Sequence, residues 1–151
     1  MFDSLSISSS ALSAQRLRMD VITSNISNAN TTRGEFVNGK WEPYRRKMVV
    51  MESRDNTFGQ LLQGEMQKQQ NKSEVPQGVR VTGIVEDTTP FKMVYDPTHP
   101  DANADGYVMM PNVDLSKEMV DMLAASRSYE ANVTAFNTGK SMMLKALELG
   151  R

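Results

Sequence analysis

From Leu115 to Arg151 the chain contains no proline, and its only glycines there are Gly139 and Gly150. Apolar residues recur at alternating four- and three-residue steps: Leu115, Met119, Met122, Tyr129, Val133, Phe136, Met143 and Leu147. Only Ser126, Lys140 and Gly150 interrupt the series. Such a repeat, held in one register, marks a helix that buries a seam against another helix. At 1.5 Å per residue that helix is roughly 55 Å long. A seam of that length needs a partner.

A candidate partner lies at the other end. Phe2 to Ala29 holds neither proline nor glycine. Leu5, Leu12, Met19 and Ile26 recur every seven residues, Ile22 fills one intermediate step, and Ser8 and Gln15 occupy alternate seam positions. Polar residues there cost stability but can specify register and partner. Pattern alone leaves two readings open: two amphipathic helices packed within one small domain, or two helices that assemble with other molecules. The fold expected is mainly α with a small β portion. Long N- and C-terminal helices pair as a coiled-coil-like unit, with a small antiparallel β region between them. The expected divisions are 1–32 for the N-terminal helix and its Asn-rich exit, 33–111 for the β region, and 112–151 for the C-terminal helix.

Between the helices the period shortens. Trp41 to Glu52, Gly78 to Asp87, Phe91 to Tyr95 and Gly106 to Met110 read as short strands punctuated by glycine and proline. Gly83 within the second suggests a bulge or close packing. Asp55 to Gln77 carries six glutamines and few apolar residues, and reads as a peripheral insertion with one helical turn near Phe58 to Met66. Asp114 suits a helix N-cap, with Glu118 in the first turn. A core of short strands is thin: one large buried side chain contributes roughly 1.5–3 kcal/mol, while ordering each residue costs about 1–2 kcal/mol. Much of the stability is therefore expected from contacts between molecules.

Seventeen basic and eighteen acidic residues leave a formal charge of −1, which argues against a nucleic-acid partner. The basic run Arg45-Arg46-Lys47 reads as a solvated strand face. With no cysteine, disulfides and thiolate chemistry are excluded. No run of 18 apolar residues spans a membrane, and the first residues lack the cationic start and apolar core of a cleaved secretory signal. Six serines among the first 13 residues suit export by a route that leaves the terminus uncleaved.

Motifs for chemistry are weak. Asp101-Ala102-Asn103-Ala104-Asp105-Gly106 matches the first half of an EF-hand loop, but Asn112 stands where the bidentate glutamate belongs, and Pro97, Pro100 and Pro111 exclude the flanking helices. An Asx-rich turn explains it better. The single histidine, His99, lies between Thr98 and Pro100 with no nucleophile motif nearby. Glu86, Asp87 and Asp96, the carboxylates that a cell-wall hydrolase would need, have nothing to mark them as a pair. Met119, Met122, Met142 and Met143 fit adaptable packing better than a soft-metal site. No enzyme, cofactor or metal is expected.

Three blocks carry a resemblance. The first is Ser24-Asn25-Ile26-Ser27-Asn28-Ala29-Asn30-Thr31-Thr32, and the second is Pro43-Tyr44-Arg45-Arg46-Lys47 with the apolar strand after it. The third runs from Tyr95-Asp96-Pro97 through Gly106-Tyr107-Val108 and Pro111-Asn112-Val113-Asp114. It continues into Met119, Met122, Ala125-Ser126-Arg127-Ser128-Tyr129-Glu130-Ala131-Asn132 and Ser141-Met142-Met143-Leu144-Lys145-Ala146-Leu147. On these blocks the chain resembles the bacterial flagellar rod and hook family of axial proteins, and within it the proximal-rod subunits. It departs from the wider family at Glu35, which separates Gly34 from the aromatic Phe36, and in the Gln-rich segment.

The resemblance implies a structural subunit of the proximal rod, self-assembling into the axial shaft that transmits torque from motor to hook. Its implied partners are other copies of itself, other flagellar rod proteins and the flagellar type III export apparatus. Its implied place is the basal body, in a rod crossing the periplasm and cell wall. The residues expected at the assembly interface are Leu5, Leu12, Met19, Ile22, Ile26, Asn28 and Asn30 at one end. At the other they are Met119, Met122, Tyr129, Val133, Phe136, Met143 and Leu147. The alternative from another class is a cytoplasmic coiled-coil adaptor or export chaperone.

Overall fold

The structure, a computed structural model, describes residues 2–37, 39–54 and 78–149. The Gln-rich segment and its expected helical turn lie outside the described residues. Helix α1 spans Phe2–Ser27 and helix α2 spans Leu115–Leu149, one near each end. Between them lie β1 (Glu35–Val37), β2 (Lys40–Glu42), β3 (Lys47–Ser53), β4 (Val79–Glu86), β5 (Lys92–Tyr95) and β6 (Tyr107–Met110). These form three two-stranded sheets, β1 with β2, β3 with β4 and β5 with β6. The expected architecture, terminal helices around small antiparallel sheets, is the one observed.

The strand expected from Trp41 to Glu52 is two strands. Pro43 lacks the N–H that a ladder needs, and the chain leaves β2 there before β3 begins at Lys47. Strand β1 was not expected, because three residues carry no readable period. Gly83 lies within β4 without the close packing expected: a Cβ built on it meets nothing within 4 Å. Gly34 is the glycine that close packing requires. A Cβ there would lie 2.7 Å from the backbone N and Cα of Tyr44, and its N–H donates to the Glu42 carbonyl at 2.8 Å.

The helix ends follow their sequence signals. Asp114 is the α2 N-cap, its Oδ1 accepting from the N–H of Ser116 at 3.0 Å and of Lys117 at 3.4 Å. At the end of α1 the Asn28 side chain donates to the Ser24 carbonyl at 2.9 Å and accepts from the Thr31 hydroxyl at 3.3 Å. A short amide that bonds local backbone in this way competes with further helix and turns the chain out.

The chain divides into two compact units. One comprises Met1–Arg16, Met51–Thr82 and Arg127–Arg151. In it Ala14 is buried, the Ser10 hydroxyl accepts from the Val79 N–H at 3.1 Å, and a Cβ at Gly139 would stand 3.3 Å from Leu5 Cδ2. The other comprises Leu17–Val50 and Gly83–Ser126. Its small core holds Val21, Ile22, Val108, Val113 and Ala125, with Pro111 fully buried beside them.

Candidate assembly surface

Within the second unit the three sequence blocks meet in a buried polar cluster. Asn25 is 1% exposed and Glu118 is 0% exposed. The Asn25 amide donates to the Lys47 carbonyl at 2.8 Å and to Glu118 Oε2 at 3.0 Å. Its oxygen accepts from the Lys47 N–H at 2.9 Å and from the Tyr44 hydroxyl at 3.0 Å. All four bonding positions of that amide are filled.

Glu118 is held by Arg46, whose Nε donates to Oε1 at 2.6 Å. The same guanidinium reaches Asp87 at 3.5 Å and Asp121 at 3.6 Å, and Arg18 lies 3.8 Å from Asp121. Burial opposes the Arg46 charge, but its bonds to Glu118 and Asp87 outweigh that and raise its pKa. Asp87 is held below the usual carboxylate value by hydrogen bonds from Thr89, with Arg46 adding to the effect. Asn112 completes the cluster: Oδ1 accepts from the Arg46 N–H at 2.8 Å, and Nδ2 donates to the Asp87 carbonyl at 3.2 Å.

The basic run is therefore not a solvated face throughout. Arg45 lies over the Phe91 ring, 4.5 Å from its centroid, while the Arg46 side chain, only 13% exposed, turns inward. Adjacent residues of an extended chain point to opposite sides, which is why one stacks at the surface and the other is buried. A second tie fastens the exit from α1. Thr32 donates to Asp101 Oδ2 at 2.8 Å and Arg33 Nε to Oδ1 at 2.8 Å. That pairing with Arg33 holds the Asp101 carboxyl below its ordinary value. The EF-hand-like turn spends this carboxylate on the chain's own side chains.

On α2 Glu118 and Ala125 are buried, and Asp121, Met122, Ser126, Ser128, Tyr129, Asn132, Val133, Phe136, Gly139 and Met143 are half-buried. This face shares Met122, Tyr129, Phe136 and Met143 with the expected stripe. Glu118 and Gly139 are covered where Met119 and Lys140, one residue later, are exposed, and Ala125 is more deeply buried than Ser126. Val133 is half-buried, whereas Met119 and Leu147 are exposed, along with Leu115, Val120, Leu123, Met142, Leu144 and Leu149. On α1, Ile22 is buried; Leu5, Leu12, Met19 and Ile26 are half-buried. Asn28 is half-buried on its local bonds, and Asn30 is exposed. Gln15, expected at a polar seam position, has a buried Oε1 with no hydrogen-bond partner.

Asn25, Arg46 and Glu118 were missed as a unit. Their signal was a carboxylate, Glu118, set four residues before Met122 and seven before Ala125, on the face the helix buries.

Comparison with known proteins decides the family. Residues 5–33 match the family described as Flagella basal body rod protein, and residues 104–149 match Flagellar basal body rod FlgEFG protein C-terminal. A flagellar basal-body rod protein FlgC of Bacillus subtilis is 55% identical over 150 residues, covering 99% of this chain and 98% of its own. The chain belongs to the flagellar basal-body rod proteins. Rod proteins FlgC of Borreliella burgdorferi and Salmonella typhimurium are 42% and 43% identical, covering 99% and 96% of this chain and 97% and 94% of their own. This rod protein is a structural subunit of the basal body that assembles with other rod proteins. Among its described residues no helix is long and apolar enough to cross a membrane.

Proposed function

We infer that the two terminal helices are the assembly elements of this rod subunit. The observation that carries this is the imbalance of apolar surface. Among the described residues, six apolar residues are buried, while eighteen large hydrophobics are exposed, eight of them on α2. Scattered surface apolar residues need no explanation. On α2, however, apolar residues extend beyond the face its own chain covers, and Leu115, Met119 and Leu147 among the uncovered ones belong to the same repeat.

The seam residues Leu5, Leu12, Met19, Ile22 and Ile26 on α1, with Met122, Tyr129, Val133, Phe136 and Met143 on α2, then hold the subunit's own helices in register. Met119 and Leu147 meet neighbouring copies or other rod proteins, and Asn28 and Asn30 set the direction in which the chain leaves the shaft. In this role the subunit is part of the proximal rod and transmits torque from motor to hook across the periplasm. It reaches that place through the flagellar type III export apparatus.

The test is Leu147→Asp. The residue is 71% exposed, so the isolated chain should keep its helicity and melting curve while cells lose motility and basal bodies lose the subunit. Normal swimming would refute the assignment. A soluble variant retained in a discrete cytoplasmic complex would favour an adaptor instead.

A further inference from the structure

We propose that the outer face of the β5–β6 hairpin receives the C-terminal helix of a second copy of this chain, at the exposed flank formed by Lys140, Leu144 and Leu147. The proposal rests on the rod reading and names one contact within it.

The hairpin pairs Met93 with Met109 and Tyr95 with Tyr107 across its strands. Residues two apart on a strand share a face, so these four side chains form one surface, and all four are exposed. The tyrosine rings meet edge to face at 5.3 Å. Opposite them Val108, 2% exposed, faces the core, so the hairpin cannot turn its apolar side inward.

The occupant follows from charge and from assembly logic. Residues 92–110 carry Lys92 against Asp96, Asp101 and Asp105; Asp101 is paired with Arg33, which leaves Asp96 and Asp105 against Lys92 and the hairpin with its loop acidic by one charge. Asp105 is exposed and makes no ion pair among the described residues. Residues 137–149 carry Lys140 and Lys145 against Glu148; Lys145 pairs with Glu148 at 2.8 Å, so Lys140 makes the end of α2 basic. Lys140, Leu144 and Leu147 are spaced four and three apart, which sets them in one row on the helix. Leu144 and Leu147 are both exposed. A rod of repeating subunits uses heterologous contacts, in which one patch meets a different patch on the next copy. An acidic, Met- and Tyr-lined platform and a basic aliphatic helix row are two such unlike patches on one chain.

The chain has no cysteine, so engineered thiols report this contact alone. Basal bodies are isolated from cells whose only copy of the protein carries Met109→Cys with Leu147→Cys, oxidised, and resolved without reductant. The expected result is a ladder of dimers, trimers and longer oligomers, absent from either single variant. Subunits present in the basal bodies but without a ladder would overturn the contact and leave the rod reading intact. Absence of the unmodified chain from basal bodies would sink the rod reading itself. A dimer from Met109→Cys alone would also overturn the proposal, because it reports like patches meeting.

Charge reversal decides the matter independently if the paired variant fails to incorporate. Lys140→Glu should lower the subunit content of basal bodies at least tenfold, and Asp105→Lys in the same chain should restore most of it. No loss, or no restoration, would overturn the proposal.

Discussion

Replacing Arg46 by methionine tests the buried cluster most directly. The side chain is 13% exposed and its Nε lies 2.6 Å from Glu118, which is fully buried. Removing one member of a buried ion pair leaves the other charge without compensation, which costs about 3–5 kcal/mol. Methionine keeps much of the aliphatic stem, so most of that cost is electrostatic. For a chain of this size 1 kcal/mol corresponds to about 2–4 °C in Tm, and Arg46→Met should therefore melt about 10 °C or more below the parent. Glu118→Met should cost less, since Arg46 keeps Asp87 and Asp121 within 3.6 Å. In the double variant the uncompensated carboxylate is gone. What remains is an Asn25 amide short of one acceptor, about 1 kcal/mol. The double variant should be more stable than Arg46→Met alone. The assay is urea unfolding of the purified full chain followed by helicity, read as a double-mutant cycle. If Arg46→Met lies within about 1 kcal/mol of the parent, or the two substitutions simply add, the cluster does not act as argued.

Three further outcomes follow from local geometry. Asp114→Ala removes the N-cap of α2 and should cost about 1 kcal/mol, seen as a lower urea midpoint, with Asp114→Asn close to the parent. Gly34→Ala places a Cβ 2.7 Å from the Tyr44 backbone; since backbone cannot swing aside, the variant should show shifted amide resonances through β1 and β2 and a lower Tm. Asp87, Asp96 and Asp101 have folded pKa values below the ordinary aspartate value, held there first by Thr89, Thr98 and Arg33 respectively. The unfolded chain therefore takes up protons first. The stability these groups contribute is full above about pH 4 and is lost as pH falls through their folded values, so urea midpoints measured below pH 4 should decline less steeply in Asp101→Asn.

The terminal helices were legible because their causes are local and repeated. Stretches without proline, an apolar residue every three or four positions and an aspartate at the N-cap all specify helix wherever the chain folds. Strands β4, β5 and β6 were legible within a residue or so for the same reason. Pro43 split a strand read as continuous, and β1 was too short to show a period.

What sequence could not decide was which side of the α2 stripe faces its own chain. A seven-residue repeat fits either of two adjacent rows, one through Leu115, Met119 and Leu147, the other through Glu118, Ala125 and Gly139. Hydrophobicity alone favours the first. The fold takes the second because small residues let another element approach, and because Glu118 meets Arg46, 72 positions away, together with the fully bonded Asn25. Local pattern determined that this chain would carry two long helices around small sheets. Only the tertiary structure, by supplying a buried counter-charge from the distant segment just before β3, decided which face turned inward and left the more apolar row outside.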